Sequence, residues 1–168
     1  MIRAAIIAAS ALSLAGCASQ QPHPQTLPGR NEISVLLDDW HDAASKADFN
    51  RYFGHLTESA VFIGTDATEY WNVDAFKAYA EPYFDKGKGW TYVPRDRHVY
   101  MNPAGDLAWF DEKLDNAKYG QARGSGVCVR EQGQWKIAHY TLSFPVPNDV
   151  AEPVVRIIRE YDAAHPAH

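Results

Sequence analysis

Four runs of two-residue alternation follow one another between Trp90 and Phe144, and they leave few folds open to this chain. Trp90–Met101, Asp106–Ala117, Gln121–Arg130 and Gln134–Phe144 each have strand length, and "NPAG", "KYG" and "EQG" between them are turn signals. Consecutive strands joined by hairpin-length turns predict an antiparallel sheet. Upstream, the period changes to that of a helix. From Glu32 to Ala47, apolar residues at Ile33, Leu36, Leu37, Trp40, Ala44 and Ala47 share one face. Asp48 is placed to cap a short second helix carrying Phe49, Tyr52, Phe53 and Leu56. Ser59–Gly64 reads as a strand, and Asn72 as the cap of a third helix carrying Val73, Phe76, Tyr79, Ala80 and Tyr83. Pro82 and the glycines at 87 and 89 end that helix. The plan is α+β, with a curved sheet closing over the helices. A terminal helix is expected over Pro153–Ala163.

The alternation also assigns faces. In Asp106–Ala117 the more apolar set is Ala108, Phe110, Glu112, Leu114 and Asn116, so Glu112 is the single carboxylate expected inside. A two-residue loop at Tyr119–Gly120 pairs Glu112 with Val127 and brings Arg123, Ser125, Val127 and Val129 to the same inner face. The "EQG" loop, read as three residues ending in glycine, then sets Ser125 opposite His139. Trp109, Cys128, Ala138, Tyr140 and Leu142 are left on the outer face. Two registers are open for Trp90–Met101. One turns Val93, Arg95, Arg97 and Val99 inward; a bulge or one-residue change instead turns His98 inward with Tyr92 and Tyr100.

The resulting polar patch is Glu112, Arg123, Ser125 and His139, with Arg95 or Arg97 nearby. A buried carboxylate needs a partner, so Glu112 and an arginine can be a purely structural ion pair. The same patch can hold the polar end of a small molecule whose apolar body lies on Phe110, Trp135, Tyr79 and Trp71. In "VFIGTDATEYW", Thr65 and Asp66 suit a turn that bonds its own backbone. Glu69 and Trp71 are less easily explained that way. His41, next to Trp40, faces either the same cavity or solvent.

At the N-terminus, "MIRAAIIAASALSLAGC" has one basic residue, an apolar run too short to span a bilayer, then small residues before Cys17. It matches an export signal, and "LAGC" resembles the lipobox of bacterial lipoproteins. That resemblance implies a signal peptide over 1–16, lipid on Cys17 and a tether over 17–30. The alternative is an ordinary secretory signal with an incidental cysteine. By the sorting pattern of such lipoproteins, Ala18 favours the outer membrane, facing the periplasm. Cys128 is then without an intrachain partner and reads as a packed thiol. Loss of Arg3 leaves 15 basic against 21 acidic side chains, a formal charge of −6, which argues against nucleic acid as a partner.

"FIGTDATEYW", "GWTYVPRDR", "AWFDE", "YGQARGSGV" and "WKIAHYTLSFPVPND" together resemble the SnoaL-like branch of the nuclear transport factor 2 (NTF2)-like superfamily. The resemblance covers nearly all of a domain over 31–149, with 150–168 as a C-terminal helix and tail. It implies a cone-shaped half-barrel, a curved antiparallel sheet wrapped around three N-terminal helices with a cavity between. It also implies that Asp66, Glu69 and Trp71 border the cavity mouth and that a homodimer forms through the outer sheet face. The terminal helix covering that face within one chain is the alternative. Relatives often carry arginine beside the tryptophan of the first run, where Tyr70 stands here.

No nucleophile motif, phosphate loop or metal spacing is present in the sequence, and no cofactor is expected. Three function classes stay open. The first is a non-catalytic envelope protein that binds a small, partly apolar molecule. The second is an isomerase, cyclase or dehydratase using Glu112 or His139 as acid or base, with Arg97 or Arg123 stabilising negative charge. The third is a membrane-tethered docking module.

Overall fold

The computed structural model describes residues 28–165. The signal peptide, Cys17 and most of the expected tether lie outside the described residues. Helix α1 spans Pro28–Ser45 and so begins inside the stretch read as tether. Proline at a first helical position sacrifices no hydrogen bond, because that N–H has no intrahelical partner. Helix α2, Phe49–Gly54, starts where Asp48 Oδ1 accepts the Arg51 N–H at 3.2 Å. Helix α3, Val73–Phe84, starts where Asn72 Oδ1 accepts the Ala75 N–H at 2.9 Å. Both caps are those expected.

Six strands form one open, curved sheet in the order β2-β1-β6-β5-β4-β3. They are β1 (Leu56–Ile63), β2 (Tyr70–Asn72), β3 (Val93–Met101), β4 (Leu107–Asn116), β5 (Gly120–Glu131) and β6 (Gln134–Ser143). The short β2 was not anticipated; it folds back on β1, with Phe62 opposite Trp71. All neighbouring strands run antiparallel except β1 and β6, which are parallel. The architecture is α+β, with the N-terminal helices against the concave face.

Ile33, Leu37, Trp40 and Ala44 of α1 pack with Tyr52, Phe53, Phe76, Ile137 and Tyr140 into one core. Each fully buried side chain of that size contributes about 1.5–3 kcal/mol. Helix α4, Ala151–Ala164, stands apart. Val155, Ile157, Ile158 and Tyr161 remain exposed, and the outer sheet face keeps Trp109 44% exposed. The helix therefore does not cover that face within the chain.

Three registers differ from expectation. Gly120, at φ 74°, closes the β4–β5 turn so that Asn116 pairs with Gly120 and Glu112 with Gly124. The change flips β5, because side-chain direction has a period of two. Ala122, Gly124, Gly126 and Cys128 face inward, and Arg123, Ser125, Val127 and Val129 face out. The β5–β6 turn is two residues, Gln132 and Gly133, both at positive φ. In β6, Cys128 pairs with Ile137 but Val127 pairs with His139, so Ala138 is an extra residue. That bulge keeps Trp135, Ile137 and Tyr140 on the core side and sends His139 outward. In β3, a bulge with Asp96 at φ 46° lets Arg97, Val99 and Met101 face inward while Arg95 points out.

Candidate functional site: an aromatic cleft above a buried carboxylate

Glu112 sits midway along β4 with 1% of its surface exposed. Its Oε1 lies 2.7 Å from His41 Nε2 and accepts the Tyr140 hydroxyl at 3.1 Å. Its Oε2 accepts the Arg97 Nε–H at 2.8 Å. Arg97 Nη1 reaches on to the Ser34 carbonyl and to Asp38 Oδ1, both at 2.8 Å. Ser34, Asp38 and His41 are spaced i, i+4, i+7 on α1, a polar stripe beside the apolar one, so the network ties α1 to β3, β4 and β6.

Burial is the largest influence on the Glu112 carboxyl and pushes its pKa upward, but His41 and Arg97 outweigh it and the net direction is down. Burial, reinforced by the Glu112 charge, pushes the Tyr140 phenol far up, so it stays a donor. Close packing at the carboxylate requires glycine in β5. A Cβ on Gly124 would stand 2.1 Å from Tyr140 Oη and 3.0 Å from Glu112 Oε1.

Above this network opens a cleft of about 350 Å³. Phe62, Trp71, Phe76 and Tyr79 form one group of stacked rings, with Trp71 4.7 Å from Tyr79 and Phe62 4.1 Å from Phe76. Trp90, Tyr92, Tyr119 and Phe144 supply the other aromatic lining, and Leu142, Gly64, Thr65 and Glu69 complete it. A smaller void of about 20 Å³ is lined by Trp40, His41, Tyr52 and Tyr140 together with Phe62, Trp90, Tyr92 and Leu142. Those last four residues also line the cleft, so the void lies between the cleft and the carboxylate network. Among the described residues, the buried Trp40 indole N–H and Tyr52 hydroxyl find no hydrogen-bond partner.

The expected site residues thus separate. Glu69, Trp71 and Tyr79 line the cleft. Arg97 and Glu112 form the network, with Phe110 buried beside Tyr140 at 5.9 Å. Asp66 is exposed and caps its own turn, accepting the Thr68 N–H at 2.8 Å and the Thr68 hydroxyl at 2.6 Å. The inward placement of Arg123, Ser125 and His139 is corrected: all three face out, and His139 Nε2 meets Thr141 Oγ1 at 3.1 Å. Arg95 pairs with Asp115, and His98 is exposed with Nδ1 3.1 Å from Asp111 Oδ1. Trp135 is buried with its indole N–H on Glu32 at 2.9 Å, apart from the cleft lining. His41 points inward, and Cys128, Tyr140 and Leu142 are inward rather than outward. Tyr140 is the main network residue that the alternation left on the outer face; the bulge at Ala138 turns it inward.

The family model of the SnoaL-like domain matches residues 33–147. The chain belongs to the SnoaL-like domain family. This SnoaL-like chain also resembles solved structures of the NTF2-like fold. An NTF2-like protein of unknown function from Pseudomonas putida KT2440 is 18% identical, covering 71% of this chain and 89% of that one, with a TM-score of 0.59. A candidate dehydratase of the NTF2-like family from Streptomyces avermitilis is 12% identical, covering 74% and 100%, with a TM-score of 0.61. A candidate aromatic ring hydroxylase from Novosphingobium aromaticivorans is 19% identical, covering 71% and 90%, also with a TM-score of 0.61. At these identities the likeness is one of fold. No curated protein matches the chain in sequence.

Proposed function

We propose that this SnoaL-like protein is an envelope lipoprotein, anchored through Cys17 to the outer membrane, that binds a small, partly apolar molecule without transforming it. The observation that carries the reading is the cleft. Its volume of about 350 Å³ falls in the range of small-molecule sites, and eight of its twelve lining residues are aromatic. The carboxylate network beneath it supports binding over catalysis. Glu112 already has three partners, and Arg97 is committed to Glu112, Asp38 and the Ser34 carbonyl. Glu112 is therefore a poor base, and His139 is on the wrong face.

Native mass spectrometry of the full chain, purified from its own host's envelope, tests the reading. A discrete small molecule should be retained, and Trp71→Ala should lose it; a ligand-free spectrum under all conditions counts against the cleft as a binding site. For the anchor, Cys17→Ser should move the protein from the membrane fraction to the soluble one.

One observation favours an acid–base enzyme as a second reading. His41 is oriented by Glu112 at 2.7 Å and borders the void below the cleft, an arrangement suited to proton transfer. If it holds, the wild type should convert the retained compound to a product of different mass or structure, and His41→Gln should bind without converting it.

A further inference from the structure

We propose that the aromatic cleft receives the cationic end of an organic ammonium compound, held by Glu69 against the faces of Trp71 and Tyr79. The inference rests on the reading of the cleft as a ligand site and adds the charge of the ligand. Among the described residues that line the cleft, Glu69 is the one with a formal charge, and none is a lysine, arginine or histidine. Glu69 forms no ion pair among the described residues. Its Oε2 accepts only the Asp66 N–H, at 3.2 Å. A Cβ on Gly64 would lie 2.1 Å from that oxygen, so the glycine is what allows the carboxylate to fold over the end of β1.

The rings point to the same ligand chemistry. Trp71 stacks on Tyr79 at 4.7 Å and on Phe76 at 5.6 Å, so a ligand meets the ring faces that this stack leaves uncovered. Such faces carry negative potential and attract ammonium groups. Nearby, the Lys118 ammonium bonds the hydroxyl of Tyr119 at 2.7 Å. The reach of the Glu69 charge is visible in its neighbours. Burial first, then the Glu69 carboxylate, pushes up the Tyr79 phenol, and burial, Tyr119 and Glu69 together push up that of Tyr92.

The three ligand classes therefore fare differently. An anion meets a carboxylate and ring faces with no lining cation to receive it. A neutral apolar molecule takes water from Glu69 and returns nothing. An ammonium compound satisfies both the carboxylate and the rings.

Fluorescence titration of the purified full-length chain tests this, with Trp71 and Trp90 as reporters. The probes are benzyltrimethylammonium, its uncharged isostere neopentylbenzene, and benzenesulfonate. The cation should bind at least about tenfold more tightly than the isostere, and benzenesulfonate should not bind. Glu69→Gln keeps an acceptor for the Asp66 N–H; it should weaken the cation about tenfold and should not weaken neopentylbenzene, which no longer desolvates a charge. Trp71→Leu should weaken both. Neopentylbenzene binding as tightly as the cation overturns the charge assignment and leaves the cleft as a ligand site. Cation binding indifferent to Glu69→Gln overturns it too. If neither probe binds, or Trp71→Leu affects neither, the cleft reading falls with it.

Discussion

His41 Nε2 and Glu112 Oε1 lie 2.7 Å apart although 71 positions separate them in the chain. The contact joins the middle of the first helix to the middle of a central strand, and Arg97 and Tyr140 complete the carboxylate's hydrogen bonds. Removing the acid leaves a buried guanidinium and imidazole without their shared partner. Glu112→Ala should therefore cost about 3–5 kcal/mol in urea unfolding, far more than a surface substitution.

The same group sets an acid limb on stability. His41 and Arg97 hold the Glu112 carboxyl below its ordinary value of 4.5 despite burial. A carboxyl lowered by folding stabilises the native state above its unfolded value, and that contribution is lost as pH falls through the folded value. The stability difference between wild type and Glu112→Gln should shrink as pH falls below about 5. A difference that instead grows on acidification contradicts the lowered carboxyl.

Gly124 has room for no side chain, and the nearest obstacle is the Tyr140 hydroxyl, 2.1 Å from where a Cβ would stand. Gly124→Ala should destabilise by about 1–3 kcal/mol through overpacking. Tyr140→Phe removes the obstructing oxygen, so the alanine should cost less in that background. A double-mutant cycle that shows no coupling would rule out this clash as the cause.

Cys128 is walled in by the core. Burial, then the Glu112 charge, pushes its thiol up to about 12, so it is protonated and shielded at neutral pH. An aromatic disulfide reagent should leave Cys128 unmodified in the native chain at pH 8 and label it once urea unfolds the domain. Rapid native labelling of Cys128 would mean that β5 opens readily.

On the outer sheet face, Tyr100 and Trp109 stack at 5.8 Å and are 41% and 44% exposed. The homodimer that the family resemblance implies through this face would cover them. Trp109→Glu should shift sedimentation from dimer to monomer without changing the thermal midpoint by more than the dimer's own contribution. A wild-type monomer at micromolar concentration excludes this pairing.

Much of the fold is written in local patterns. The caps at Asp48 and Asn72, the order of the elements and the inward set of β4 follow from spacing alone, because helix and strand periods act within a few residues. Glu112 was legible as the buried acid for that reason, and Glu69 and Trp71 as residues a turn does not explain. The polar stripe Ser34, Asp38 and His41 was legible in principle, but a stripe of that kind is as often solvated.

The rest needed three dimensions. In β5 the larger aliphatics Val127 and Val129 invite an inward reading, yet the space beneath is already filled by Phe110, Glu112 and Tyr140. Only Ala122, Gly124, Gly126 and Cys128 fit there, so β5 turns its small residues in and carries Arg123 and Ser125 outward. In β6 one extra residue at Ala138 moves Tyr140 inward and His139 outward. The sequence by itself determined the helices and the long strands, though not the short β2 or the start of α1, and which acid is buried, since those depend on neighbours along the chain. The tertiary structure alone decided which residues meet that acid, because a one-residue change of register reverses every side chain and only packing across the sheet selects between the two.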